Sequence, residues 1–339
     1  MSDERYHGSD AKRLVDPELL PFLEQYPRYD LTDAMLPQIR AGLLERMGAA
    51  RTSTDYPDIK CYEQRISGCD GDPEVRLLIY EPPGGARRPA LLHIHAGGHV
   101  MGLPEMNDAQ HRRYAHDIGC VVVSVDYRLA PEHPYPAGLH DCLAALRWLH
   151  ASAKQLGIDP AFIGVVGESA GAGMAVGLAL LVRDRNECAI EYLSLVAPML
   201  DDRTGSSEES RLRSQDLSWS RGSNRFGWRA LLGTIGATAP EAYAAPARAP
   251  SFAGLPDTFI SVGSLDLFAQ ENLAFAAQLM QDNVGVEMHL YPGAYHGFDR
   301  VPEAQLSQQF LMDRIRALKR AIEPKTDAEN GRFWENSGV

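Results

Sequence analysis

The sequence predicts an α/β architecture: a mostly parallel central sheet with helices on both faces and a helical cap. Three observations carry this. Short runs at 90–95, 120–125, 162–166, 192–196, 258–262 and 286–291 are apolar with little alternation, as expected of strands buried on both faces. Between them stand stripes at helical spacing, such as Leu139, Leu143, Leu146 and Leu149. The connection from about Met199 to Leu255 is too long for a simple crossover, and a structureless segment of that length is unusual inside a compact domain.

In chain order, residues 1–50 carry apolar residues at helical spacing around Leu19, Leu23, Leu36, Ile39 and Leu43, broken by prolines that suit first-turn positions. They are predicted to form the N-terminal helical part of the cap. The catalytic domain then covers 51–322. It opens with strands at 59–63 and 75–80, separated by Gly68, Gly71 and Pro73. Two later helices are predicted from Leu273, Phe275, Ala276, Leu279 and Met280, and from Phe310, Leu311, Ile315, Leu318 and Ile322. Residues 200–255 are assigned to the cap, because ligands in such sheets bind beyond the carboxyl ends of the strands, where this connection starts. Residues 323–339 form a polar tail in which Phe333 and Trp334 are the docking candidates.

Composition excludes several classes. A chain of 339 residues with 45% hydrophobic and 23% charged residues has material for a large core. Net charge is −12, from 33 basic and 45 acidic residues, which argues against nucleic acid or an anionic membrane surface as the main partner. There is no basic and apolar leader at the start and no run of about 18 apolar residues, so the expected location is the cytoplasm. Five scattered cysteines, Cys61, Cys69, Cys120, Cys142 and Cys188, indicate neither a disulfide framework nor a zinc site.

The chemistry centres on Gly167-Glu168-Ser169-Ala170-Gly171, which follows an apolar run and leads into a small-residue helix. A serine at a sharp strand-to-helix turn needs neighbours without side chains, and the following helix N-terminus points amides at a developing oxyanion. A hydroxyl needs a base, and the base needs a carboxylate to fix its tautomer. His296 follows the strand at 286–291, and Asp266 follows the strand at 258–262, so the order along the chain is Ser, acid, His. A solvated loop histidine and a helix-capping aspartate are the plainer readings of the two residues, and strand-end placement with chain order favours the catalytic one. His7, His111, His116, His140 and His150 lie in polar or helical segments and are expected at the surface.

The loop His95-Ala96-Gly97-Gly98-His99-Val100-Met101-Gly102 supplies glycines at which backbone amides approach a ligand. With it, Asp126-Tyr127-Arg128-Leu129-Ala130-Pro131-Glu132-His133-Pro134, Asp266-Leu267-Phe268 and His296-Gly297-Phe298, the chain resembles the hormone-sensitive-lipase-like esterases of the α/β-hydrolase fold. These blocks run in order from about residue 90 to 298. The resemblance implies that Ser169 is nucleophile, His296 base and then acid, and Asp266 its orienting carboxylate. It implies oxyanion donors at Gly97, Gly98 and Ala170, and two-step transfer of an acyl group from a small-molecule ester to water, with no metal or organic cofactor. A last sheet strand mediates dimers in some members, which makes 286–291 a homodimer candidate. Ala96 replaces the first glycine of the family's triplet. His99 stands where an aromatic or apolar residue is usual, and is assigned to substrate binding. Asp126 to Pro134 is read as structural, and Glu168 as a packing or hydrogen-bonding residue. An amidase, lactonase or acyltransferase shares every catalytic residue; a ligand-binding homologue is expected to have lost its base.

Overall fold

The computed structural model describes residues 12–25, 28–50, 55–205, 217–233 and 241–322. Its centre is an eight-stranded sheet of order β1-β2-β4-β3-β5-β6-β7-β8. The strands are β1 (Lys60–Ile66), β2 (Val75–Glu81), β3 (Arg88–Ile94), β4 (Val121–Asp126), β5 (Ile158–Glu168), β6 (Tyr192–Val196), β7 (Thr258–Gly263) and β8 (Val286–Tyr291). β2 is antiparallel to both β1 and β4, and every other pairing is parallel. The chain leaves β3 for β4 on one side, then crosses to β5 on the other. That reversal opens a crevice beyond the carboxyl ends of β3 and β5, where ligands of such sheets bind.

Nine α-helices stand among the described residues: α1 (Leu20–Gln25), α2 (Leu36–Ala50), α3 (Asp108–Ile118), α4 (Ala137–Ala151), α5 (Ala153–Leu156), α6 (Ala170–Arg185), α7 (Arg221–Leu232), α8 (Ala269–Gln281) and α9 (Gln305–Ile322). Successive strand residues point to opposite faces. Val121, Val123 and Val125 therefore pack with Leu143 of α4, Ala175 of α6 and Phe275 of α8. Val122, with Leu91 and Val166, packs with Tyr114 of α3 and Leu318 of α9. α6 lies unusually close to backbone: a Cβ at Gly173 would meet the Met199 carbonyl, and one at Gly177 the Tyr243 carbonyl.

Residues from the N-terminal segment and from α7 pack against the carboxyl edge of the sheet. Val15, Leu19 and Leu23 pack with Val262, Leu265, Ala294 and Tyr295, and Leu31 and Leu36 with Val100, Ala130 and Phe226 of α7. Arg40 of α2 donates to the Val100 carbonyl through Nε and to the Ala130 carbonyl through Nη2, each at 2.8 Å. No helix among the described residues is long and apolar enough to cross a membrane.

Three expectations need correction. His111 is fully buried, its ring 4.2 Å from that of His93 and 4.9 Å from that of Tyr80, because the fourth position of a short polar helix turns toward the sheet. Leu273 and Met280 are exposed, and Asn272 takes the inward place on α8 by donating 2.7 Å to the Pro198 carbonyl. β8 is an edge strand and only half-buried, so its run alternates with Glu287 and His289 for a physical reason. Phe333, Trp334 and the rest of the tail lie outside the described residues, as do His7 and 206–216.

Candidate active site

Ser169 is held between β5 and α6 at φ 54°, ψ −119°, a left-handed conformation that side chains rarely adopt. The neighbouring glycines explain how the turn closes. A Cβ at Gly167 would lie 2.6 Å from the Gly171 carbonyl oxygen, and one at Gly171 would run into the carbonyls of Ile94 and His95. The Ser169 amide donates to Val196 at 2.8 Å, and its carbonyl accepts from Gly173 and Met199 at 3.0 Å each. Ser169 is thereby fixed through its backbone. Ala170, the first residue of α6, has an N–H with no carbonyl to serve within the helix.

Asp266 and His296 meet. Nδ1 of His296 lies 2.8 Å from Oδ2 of Asp266, and the other carboxylate oxygen of this buried aspartate accepts from the Phe268 amide at 2.9 Å. The two loops are tied together by Leu265 N–H donating to Ala294 and Ser264 N–H to Tyr291, each at 2.9 Å. The imidazole stands edge-on to Phe268, with ring centres 5.2 Å apart, and Trp219 is 6.3 Å away.

The 95–102 loop follows β3, beside Ser169. Gly97 has φ 141° and Gly98 φ 59°, and the Gly97 carbonyl accepts from Val100 and Met101 at 3.1 Å each. Added Cβ atoms would strike the Met101 carbonyl at Gly97 and the Trp219 ring at Gly98. Ala96, in place of the family's first glycine, falls where φ is not positive, so it fits. The positive φ of a side-chain-bearing residue falls instead at His99, at 66°. His99 is buried and its ring lies 5.7 Å from that of Trp228; burial holds its imidazole down to about 4, so it is neutral.

Beneath Ser169 runs a chain of buried polar groups that sequence reasoning did not assemble. On the α3 and α9 face, His93 of β3 places Nδ1 2.8 Å from Ser124 Oγ and Nε2 2.7 Å from Glu168 Oε2. Arg314 of α9, fully buried, brings Nη1 to 2.8 Å from Glu168 Oε1, out of line for a hydrogen bond, and donates through Nε to Ser194 Oγ at 3.1 Å. Burial alone would raise the Glu168 carboxyl, but His93 and Arg314 outweigh it and hold it down to about 2. The available signal was an arginine four residues from both Phe310 and Leu318, on the apolar stripe of α9. The 126–134 block is structural as expected: Asp126 pairs with Arg76 at 3.0 Å, Arg128 with Asp141 at 2.8 Å, and Tyr127 Oη donates to the His95 carbonyl at 2.9 Å. Trp219, Trp228 and Arg40 were also missed, since nothing local marks which residues of a long connection will fold back.

A strained serine turn after β5, an aspartate and a histidine after β7 and β8, and a glycine turn after β3 together define an α/β-hydrolase fold. The family described by the alpha/beta hydrolase fold matches residues 91–300. Esterase LipI of Mycobacterium tuberculosis is 33% identical over 295 residues, covering 86% of this chain and 89% of that protein. Carboxylesterase NlhH of the same organism is 31% identical over 300 residues, 85% and 90% of the two chains. Among solved structures, a bacterial heroin esterase superposes with a TM-score of 0.85 at 35% identity, covering 91% of this chain and 98% of its own. Esterase LipW of Mycobacterium marinum gives 0.84 at 32%, covering 93% and 98%. The chain belongs to the hormone-sensitive-lipase-like family of carboxylic ester hydrolases.

Proposed function

We propose that the protein hydrolyses short- to medium-chain acyl esters of small alcohols through a Ser169-His296-Asp266 triad and an acyl-enzyme. The observation that carries this is the 2.8 Å contact of His296 with Asp266 at the strand ends, on the same edge as the strained Ser169 turn. Ser169 Oγ attacks the ester carbonyl as His296 takes its proton. The tetrahedral oxyanion is held by the amides of Gly97, Gly98 and Ala170. His296 then protonates the departing alcohol, and water, deprotonated by the same imidazole, releases the acid. These steps draw on no metal ion or organic cofactor.

The segments 1–50 and 200–255 act as the cap over this edge, which bounds the acyl site. Each buried methylene contributes about 0.8 kcal/mol until added carbons displace packed side chains at a cost of about 1–3 kcal/mol, so the optimum lies at roughly two to eight carbons. The open edge of β8 is the surface assigned to homodimer pairing, which the mass in solution tests.

The decisive experiment combines a phosphonate probe with the Ser169→Ala variant. The probe adds its mass to the Ser169 peptide, and the variant loses hydrolysis while keeping its fold. Labelling elsewhere, with activity surviving in the variant, would overturn the assignment. A panel of nitrophenyl esters from acetate to palmitate, with lactones and amides beside them, separates an esterase from a lactonase, an amidase or a lipase.

A further inference from the structure

Near the elbow, the hydrogen-bonding atoms buried without a partner among the described residues include Nδ1 and Nε2 of His99 and Nε1 of Trp228. Their side chains belong to residues 4% and 3% exposed, with ring centres 5.7 Å apart. Buried polar groups are nearly always satisfied, so an orphaned pair of neighbouring rings asks for a third group. Their position says which group. His99 follows the Gly97-Gly98 turn directly. Trp228 follows Gly227, where a Cβ would lie 2.6 Å from the Gly98 carbonyl oxygen, and it packs with Ala170, Met199 and Phe268. Ala170 is next to the nucleophile, and Phe268 stands against His296. The pair therefore borders the triad and not a distant part of the core.

We propose that His99 and Trp228 form a polar subsite that holds a hydroxyl group on the substrate, so that hydroxylated esters are better substrates than plain alkyl esters of the same shape. This rests on the esterase reading above and names its substrate class. An indole N–H only donates, whereas a neutral imidazole carries one donor and one bare acceptor nitrogen. A hydroxyl answers both, accepting from Trp228 and donating to His99. A ketone or ether only accepts and leaves the bare nitrogen unserved. A carboxylate finds no cation, because burial keeps His99 uncharged.

The test uses isosteric pairs, one for each side of the ester bond. The acyl pair is nitrophenyl 3-hydroxybutanoate against nitrophenyl 3-methylbutanoate; the alcohol pair is 2-hydroxyethyl butanoate against propyl butanoate, followed by pH-stat. In the unmodified enzyme, kcat/KM for the hydroxylated member of one pair should exceed its partner at least about tenfold, because a buried site built for a hydroxyl rejects the analogue that leaves its groups unpaired. Which pair responds tells whether the subsite receives the acyl or the alcohol part. Trp228→Phe and His99→Phe should each bring that ratio close to one. The ratio is read within each variant, so a general loss of activity cancels, and Trp228→Phe decides the matter if His99→Phe does not fold. A ratio near one in both pairs for the unmodified enzyme, or a preference that survives both substitutions, overturns the subsite alone. Absence of turnover on all four esters overturns the esterase reading and the subsite with it.

Discussion

Replacing Glu168 by glutamine leaves the Arg314 guanidinium fully buried without its carboxylate and removes the charge that faces His93 across 2.7 Å. Two routes give the size of the loss. Breaking a buried ion pair by deleting one partner costs about 3–5 kcal/mol. Separately, a carboxyl held near 2 against an ordinary value of 4.5 stabilises the fold by roughly 3 kcal/mol, at about 1.36 kcal/mol per pH unit. The sign follows from the direction: the folded value is depressed, so this stability is present above about pH 4.5 and is lost as pH falls toward 2. With an unfolding entropy near 2.1 cal/mol/K per residue, the Glu168→Gln melting point should fall by roughly 4–7 °C. The assay is thermal and urea unfolding at pH 7, with ester hydrolysis measured well below the transition. Removing both charges, in Glu168→Gln with Arg314→Met, should restore more than half of the loss, because an uncharged pair leaves no guanidinium unpaired. A single variant within about 1 kcal/mol of the parent, or a double variant no better than the single, would refute the reasoning.

Asp266→Asn should lower kcat by roughly three to four powers of ten with the melting point little changed, since an amide favours the wrong imidazole tautomer; a loss under tenfold would mean another acid. Glu271 accepts from the Leu200 amide at 2.7 Å and from Thr204 Oγ1, and burial pushes its carboxyl up from 4.5 to about 8. The folded protein therefore keeps a proton that the unfolded chain releases, and stability from this group falls as pH rises between 4.5 and about 8. Urea midpoints for Glu271→Gln should lack that part of the pH dependence; an identical profile would sink the point. Gly171→Ala should give an inactive and poorly folded protein, because its methyl meets the carbonyls of Ile94 and His95; wild-type activity in the purified variant would show that the helix can move away.

Much of the site was legible because strand ends leave local marks. Ser169 sits between glycines, and Asp266 and His296 each follow an apolar run, so order and position were readable without knowing which strands are neighbours. His99 could be named but not understood. That its backbone is left-handed, and that its ring finds an indole from α7, depends on residue 228 folding back over residue 98. The same holds for His111. Its helix has mostly polar residues, and only the approach of Tyr80 and His93 from the sheet explains its burial. Glu168 was read as a packing or hydrogen-bonding residue, but its partners, from β3 and from α9, 146 residues later, were not readable.

The close seating of α6 has a bearing on how such an enzyme can diverge. At Gly167, Gly171, Gly173 and Gly177 the spacing is set by one backbone touching another, and no neighbouring side chain can shrink to make room. The wall that carries Ser169 is thus closed to variation, whatever ester the enzyme is asked to accept. The opposite wall is different in kind, because Trp219, Trp228 and the contacts of α2 and α7 are made by side chains that can be exchanged without moving the chain. Selection for a new substrate, in nature or in a library, has to act on that second wall. Diversity is best spent at Trp219, His99 and Trp228, and withheld from the segment between Gly167 and Gly177.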